Sequence, residues 1–141
     1  ILIKPVSEEM EYLVTSTEAA LFQGIKQARS GNRVGDISNS VQKFVEARDL
    51  AIVRDFVGHG IGRLMHEEPQ IPNYGAKGTG NQLRSGMTLA IEPMVNLGKP
   101  EIEVGPDGWT ALTRDRKPAA HFEHTVLITD KGPEILTIAK N

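Results

Sequence analysis

Around residue 50 the apolar residues change their spacing, and that change restricts the chain to a fold in which helices come first and strands follow. Met10, Leu13, Val14, Leu21 and Ile25 recur at helical steps, with Ser7, Glu8 and Glu9 suited to a helix start. Ser30-Gly31-Asn32 ends that helix, and Asp36 is placed to cap a second one whose inward stripe is Ile37, Val41, Phe44 and Val45. From Ala51 onward the runs are short and β-branched or alternating: Ile52 to Val57, Met87 to Val95, Ile102 to Val104, Trp109 to Thr113, Phe122 to Thr129 and Glu134 to Ile138. Pro106-Asp107-Gly108 and Asp130-Lys131-Gly132-Pro133 read as hairpin turns. Pro69 to Arg84 has no period and reads as a long loop, a kind of segment that often carries function. Helices followed by runs of strands predict an α+β fold with a mainly antiparallel sheet, residues 1–141 forming one domain or part of one.

Composition narrows the possible partners. A chain of 141 residues is long enough for one core, since at this size roughly two thirds of the unfolded surface becomes buried. The formal charge is -2, and no run of Lys or Arg makes an electrostatic footprint for nucleic acid or anionic lipid. Neither nucleic acid nor membrane is therefore expected as a partner. With no cysteine, His and the carboxylates are the strong metal ligands that remain, which suits a cytoplasmic protein. No apolar stretch approaches the roughly 20 residues that span a bilayer, and Ile1-Leu2-Ile3-Lys4-Pro5 is too short for a signal-peptide core. Ile1 stands where an initiator Met would be, so the chain is expected to begin inside a longer gene product.

The residues that carry chemistry are imidazoles and carboxylates in short patterned contexts. His59 lies between Gly58 and Gly60, whose missing Cβ atoms let backbone and ligands approach the ring. It reads as a metal ligand or as a histidine in a Gly-rich turn. Glu92 leaves the apolar face of its strand, and a buried carboxylate there needs a partner such as a metal, whereas an exposed one needs none. Glu123 poses the same choice, sharing a strand face with His121 and Thr125. His121 and His124 read as hydrogen-bonded sheet histidines rather than ligands. His66 follows His59 by too many residues for the HExxH arrangement, which disfavours zincin chemistry. Met65 and Trp109 read as core, or as the wall of a pocket for an unbranched apolar side chain.

Gly58-His59-Gly60-Ile61-Gly62, Met65-His66-Glu67-Glu68-Pro69, Ile91-Glu92-Pro93 and His121-Phe122-Glu123-His124-Thr125, in that order, resemble the C-terminal half of type I methionine aminopeptidases. The resemblance extends from Arg29-Ser30-Gly31-Asn32-Arg33-Val34-Gly35-Asp36-Ile37-Ser38 to the end of the chain. It implies the pita-bread fold, with two divalent ions (Co, Mn, Fe or Zn) in the complete family site and removal of methionine from the N-terminus of a peptide or nascent protein. It implies His59, Glu92 and Glu123 as metal ligands and His66 as the group that touches the scissile peptide. It also implies Glu92 as proton shuttle, with Met65 and Trp109 at the methionine pocket. Proline-specific relatives carry Gly-x-Arg-x-Glu-Asp where this chain has His121-Phe122-Glu123-His124-Thr125. The methionine-specific branch is the better match.

The same resemblance implies two aspartate ligands in an N-terminal segment that has no counterpart here. Asp36 and Asp49 come nearest to the required pair, but they are too far apart and in helical context. At most one ion is therefore expected in this chain, and little or no catalysis by it alone. The alternatives are a non-catalytic pita-bread module for binding or assembly, and a half that self-associates or pairs with a separate N-terminal half through its sheet edge and apolar face.

Overall fold

The computed structural model describes residues 2–138. Helix α1, Glu8–Gln27, begins at Ser7, whose hydroxyl accepts from the Met10 amide at 3.3 Å. Helix α2, Val34–Glu46, follows after a short turn. Asp36 does not cap it from outside, as the sequence reading expects. It sits inside the first turn, where Oδ2 accepts from the Arg33 amide at 2.8 Å and Oδ1 from the Gly78 amide at 3.1 Å. The carboxylate thus satisfies a free N–H at the positive end of the helix and ties down the loop beyond residue 71.

The helices cross closely at Gly24, where an added Cβ would lie 2.8 Å from Val41 Cγ2. Their facing sides and the sheets bury two apolar clusters. The larger is built on Leu21, Ile25, Ile37, Ile71, Leu83, Leu89, Ile91, Val126 and Ile128. The other is built on Leu13, Val41, Val45, Leu50, Ile52 and Val95. Each fully buried aliphatic side chain contributes roughly 1.5–3 kcal/mol, so this double core holds the strands that carry the site.

Ten strands follow: β1 Ala51–Ile52, β2 Gly58–Gly60, β3 Glu67–Ile71, β4 Thr88–Ile91, β5 Met94–Asn96, β6 Ile102–Val104, β7 Ala111–Thr113, β8 Ala119–His121, β9 His124–Thr129 and β10 Gly132–Ile135. They form a five-stranded sheet in the order β10-β9-β4-β2-β3, a three-stranded sheet β1-β5-β8 and the hairpin β6-β7. All of these pairings are antiparallel.

Several sequence expectations need correction. The run from Met87 to Val95 is not one strand: β4 stops at Ile91, Glu92-Pro93 belongs to neither sheet, and β5 begins at Met94 in the other sheet. The run from Phe122 to Thr129 is preceded by an unforeseen strand, β8, and breaks in the same way at Phe122-Glu123. The loop expected from Pro69 begins instead after β3, a strand that tolerates Pro69 because it lies at the sheet edge, where a missing N–H costs no ladder bond. His59 lies within a strand, β2, not in a Gly-rich turn.

Candidate metal centre

Two chain segments cross from one sheet to the other side by side, and each carries a glutamate at its crossing. The Phe122 amide donates to the Pro93 carbonyl at 3.3 Å, fastening the crossings together. Asn73, which is buried, donates from its side chain to the Glu92 carbonyl at 3.0 Å. Register places the third group. His59 pairs with Ala90 across β2 and β4, and Ala90 pairs with Thr125 across β4 and β9. Directly paired residues share a sheet face, and so do residues two apart. Register therefore sets His59 on the same face as Ala90 and Thr125, the strand residues that lead to Glu92 and from Glu123.

Both glycines beside His59 are imposed by backbone, not by ligand access. A Cβ on Gly58 would stand 2.3 Å from the Ala90 carbonyl oxygen, and one on Gly60 would stand 2.3 Å from the Glu68 carbonyl oxygen. The β2–β3 register also slips between His59 and Gly60, leaving Glu68 and Pro69 as extra residues on the partner strand. Bulges of this kind re-aim a side chain. Nδ1 of His59 lies 2.8 Å from the Gly60 carbonyl, and because a carbonyl can only accept, Nδ1 carries the proton. Nε2 then points away from its own backbone.

That nitrogen faces Glu92, whose Oε1 is 3.4 Å from His59 Nε2 and whose Oε2 is 3.7 Å from His121 Nε2. Donor atoms of Glu92, His121 and Glu123 all lie within 4.8 Å of one another, the single such group of three among the described residues. Burial and the charge of Glu123 push the Glu92 carboxyl above its ordinary value of 4.5, with His59 pulling the other way. Lone pairs and carboxylate oxygens crowded this closely repel unless a cation or proton lies between them. One or two imidazoles with two carboxylates is a set that borderline divalent ions accept. The residues present therefore fit a divalent metal.

His66 lies beside this group in the β2–β3 loop, its ring centroid 4.3 Å from that of His59 and tilted by 55°. Met65, in the same loop, is 74 % exposed, and Trp109, on the β6–β7 turn, is 90 % exposed. The structure packs neither against the core. His124 behaves as the sequence suggested: Nδ1 is 2.8 Å from the Thr137 hydroxyl and the ring stacks at a tilt on Phe22. His121 does not, because it joins the acidic pair. Its spacing of two residues from Glu123 was the available signal, and sequence alone could not show that the strand breaks between them while keeping both side chains together.

A sequence model of metallopeptidase family M24 matches residues 1–130. The chain belongs to this family. It is 53 % identical over 135 residues to a methionine aminopeptidase of Clostridium perfringens, covering 96 % of this chain and 54 % of the relative. Against the methionine aminopeptidase of Escherichia coli the identity is 46 % over 131 residues, 93 % of this chain and 50 % of the relative. The crystal structure of methionine aminopeptidase from Thermotoga maritima superposes with a TM-score of 0.96 at 50 % identity, covering 99 % of this chain and 56 % of that one. A prolidase from Pyrococcus furiosus shares the fold at a TM-score of 0.71 and 21 % identity. This M24 chain thus spans about half the length of the curated relatives it matches.

Proposed function

We propose that this chain supplies the His59, Glu92 and Glu123 part of a metal-dependent methionine aminopeptidase site, acting on the N-terminus of a peptide or nascent protein in the cytoplasm. The observation that carries the reading is Glu92, held between two imidazoles and beside a second glutamate. Residues 1–141 act as one domain, the portion of the catalytic domain that holds three of the ligands. Divalent ions, when bound, supply Lewis acidity toward the peptide carbonyl and the substrate amine. Glu92 takes the proton of the attacking water and passes it to the departing amine. His66 contacts the scissile peptide and stabilises charge that develops there. Met65 and Trp109 form one side of the pocket for the substrate's methionine side chain.

No helix among the described residues is long and apolar enough to cross a membrane. Three ligands from this chain hold one ion and leave a second position unmade, so the isolated chain is inactive or nearly so. The test combines calorimetric titration with Mn and Co and cleavage of a Met-Gly-Met peptide, with Glu123→Ala as comparison. Binding of at most one ion without turnover, weakened in the variant, supports the reading. Release of methionine by the pure chain overturns its inactivity, and no binding of either ion overturns the metal site.

A further inference from the structure

We propose that His121 is itself a ligand, so that this chain holds one borderline divalent cation through Glu92, His121 and Glu123, with His59 closing the other side of Glu92. The inference rests on the reading that the Glu92–Glu123 pair binds metal, and adds a second imidazole to it.

His121 ends β8 opposite Met94, the first residue of β5. It is therefore anchored by the same strand pair whose continuations carry Glu92 and Glu123. Phe122, between His121 and Glu123, packs against the larger apolar cluster. With that ring turned inward, the residues on either side are free to present their side chains to the opposite side. Their donor atoms and those of Glu92 lie within 4.8 Å of one another, and one ion at ordinary ligand distances of roughly 2.0–2.2 Å spans about 4.4 Å at most, so side-chain shifts of a few tenths of an ångström bring all three onto it.

The two imidazoles divide the two oxygens of Glu92 between them. Their surroundings differ: the His59 side chain is 14 % exposed and its tautomer is set by Gly60, whereas the His121 side chain is 47 % exposed on the solvent side. His59 is a preset inner donor and His121 an outer one that closes over the ion. A second imidazole also changes which cations are held. Two nitrogen donors favour Co, Zn or Ni over Mg and Ca, which require oxygen ligands.

The test uses the full chain with Co(II), followed by visible absorption and by paramagnetically shifted proton NMR, in which each coordinated imidazole shows its remaining N–H. Two such resonances are expected in the unaltered protein, and one in His121→Gln and in His121→Asn. Co affinity should fall about tenfold or more in both variants while Mg affinity is unchanged. His124→Gln serves as a histidine outside the group and should alter neither readout. Circular dichroism checks that the variants fold; if they do not, the count of two or one resonances in the unaltered chain still decides. One resonance there, lost in His59→Gln but kept in His121→Gln, overturns the role of His121 and leaves the proposed function standing. No Co binding at all overturns both.

Discussion

The carboxylate of Glu92 is shared between two histidines, with Oε1 3.4 Å from His59 Nε2 and Oε2 3.7 Å from His121 Nε2. Without a cation this costs the fold, because a partly buried carboxylate beside Glu123 lacks a strong donor. Glu92→Gln removes that charge. Metal affinity should fall at least tenfold, whereas the melting temperature of the metal-free protein should stay the same or rise. Thermal melts with and without Mn separate the two effects: wild type gains stability with the ion, and the variant does not.

Gly60→Ala should damage the site through the backbone. The new Cβ would meet the Glu68 carbonyl at 2.3 Å, and a backbone atom cannot swing aside as a flexible side chain can. A loss of about 1–3 kcal/mol is expected in denaturant melts, together with weaker metal binding, since the β2–β3 bulge that aims His59 must shift. Stability unchanged in the variant would show that the close approach is not required.

At Gly24 two effects of known size compete. Alanine improves helix propensity by about 1 kcal/mol, but its Cβ would lie 2.8 Å from Val41 Cγ2 and 3.5 Å from Ile91 Cγ2 in the shared core. Overpacking of a tight core costs about 1–3 kcal/mol, so Gly24→Ala should be neutral to destabilising by up to about 2 kcal/mol.

The β6–β7 turn should be sensitive to acid. Asp107 accepts from the Trp109 and Thr110 amides at 3.0 and 2.9 Å, and these bonds with the Thr110 hydroxyl hold its carboxyl at about 2, below its ordinary 3.8. A depressed carboxyl stabilises the turn above pH 3.8, and that contribution is lost as pH falls toward 2. Trp109 is the sole tryptophan, so its fluorescence reports this turn directly. Its emission should be that of a solvent-exposed indole and readily quenched by acrylamide. The Trp109 and Thr110 amide resonances should move with a midpoint near pH 2, and Asp107→Asn should abolish that transition.

Trp109, Val104, Leu64 and Met65 are all exposed apolar side chains. If they face a partner surface, the chain should self-associate at micromolar concentrations, with Trp109 emission shifting to shorter wavelength as it does so. A monodisperse monomer by sedimentation, with unchanged emission over the same range, would count against an interface there.

The sequence by itself determined the local elements and the identities at the site. Helical spacing from Met10 to Ile25 and from Ile37 to Val45 encodes α1 and α2, because a helix is closed by contacts three and four residues apart and needs nothing distant. The glycines around His59 and the isolated glutamates in apolar strands were legible for a similar reason, each conflicting with its immediate surroundings. Tertiary structure decided what those residues do together. Glu92-Pro93 and Phe122-Glu123 look like strand interior in the chain, and they become crossings only because their two ends pair with different sheets. His121 resembled an ordinary sheet histidine until β8 paired with β5 and brought it to Glu92. Strand partners lie tens of residues apart, and side-chain alternation along one strand says which face a group occupies but not which strand stands beside it. The metal-binding constellation is a property of that pairing.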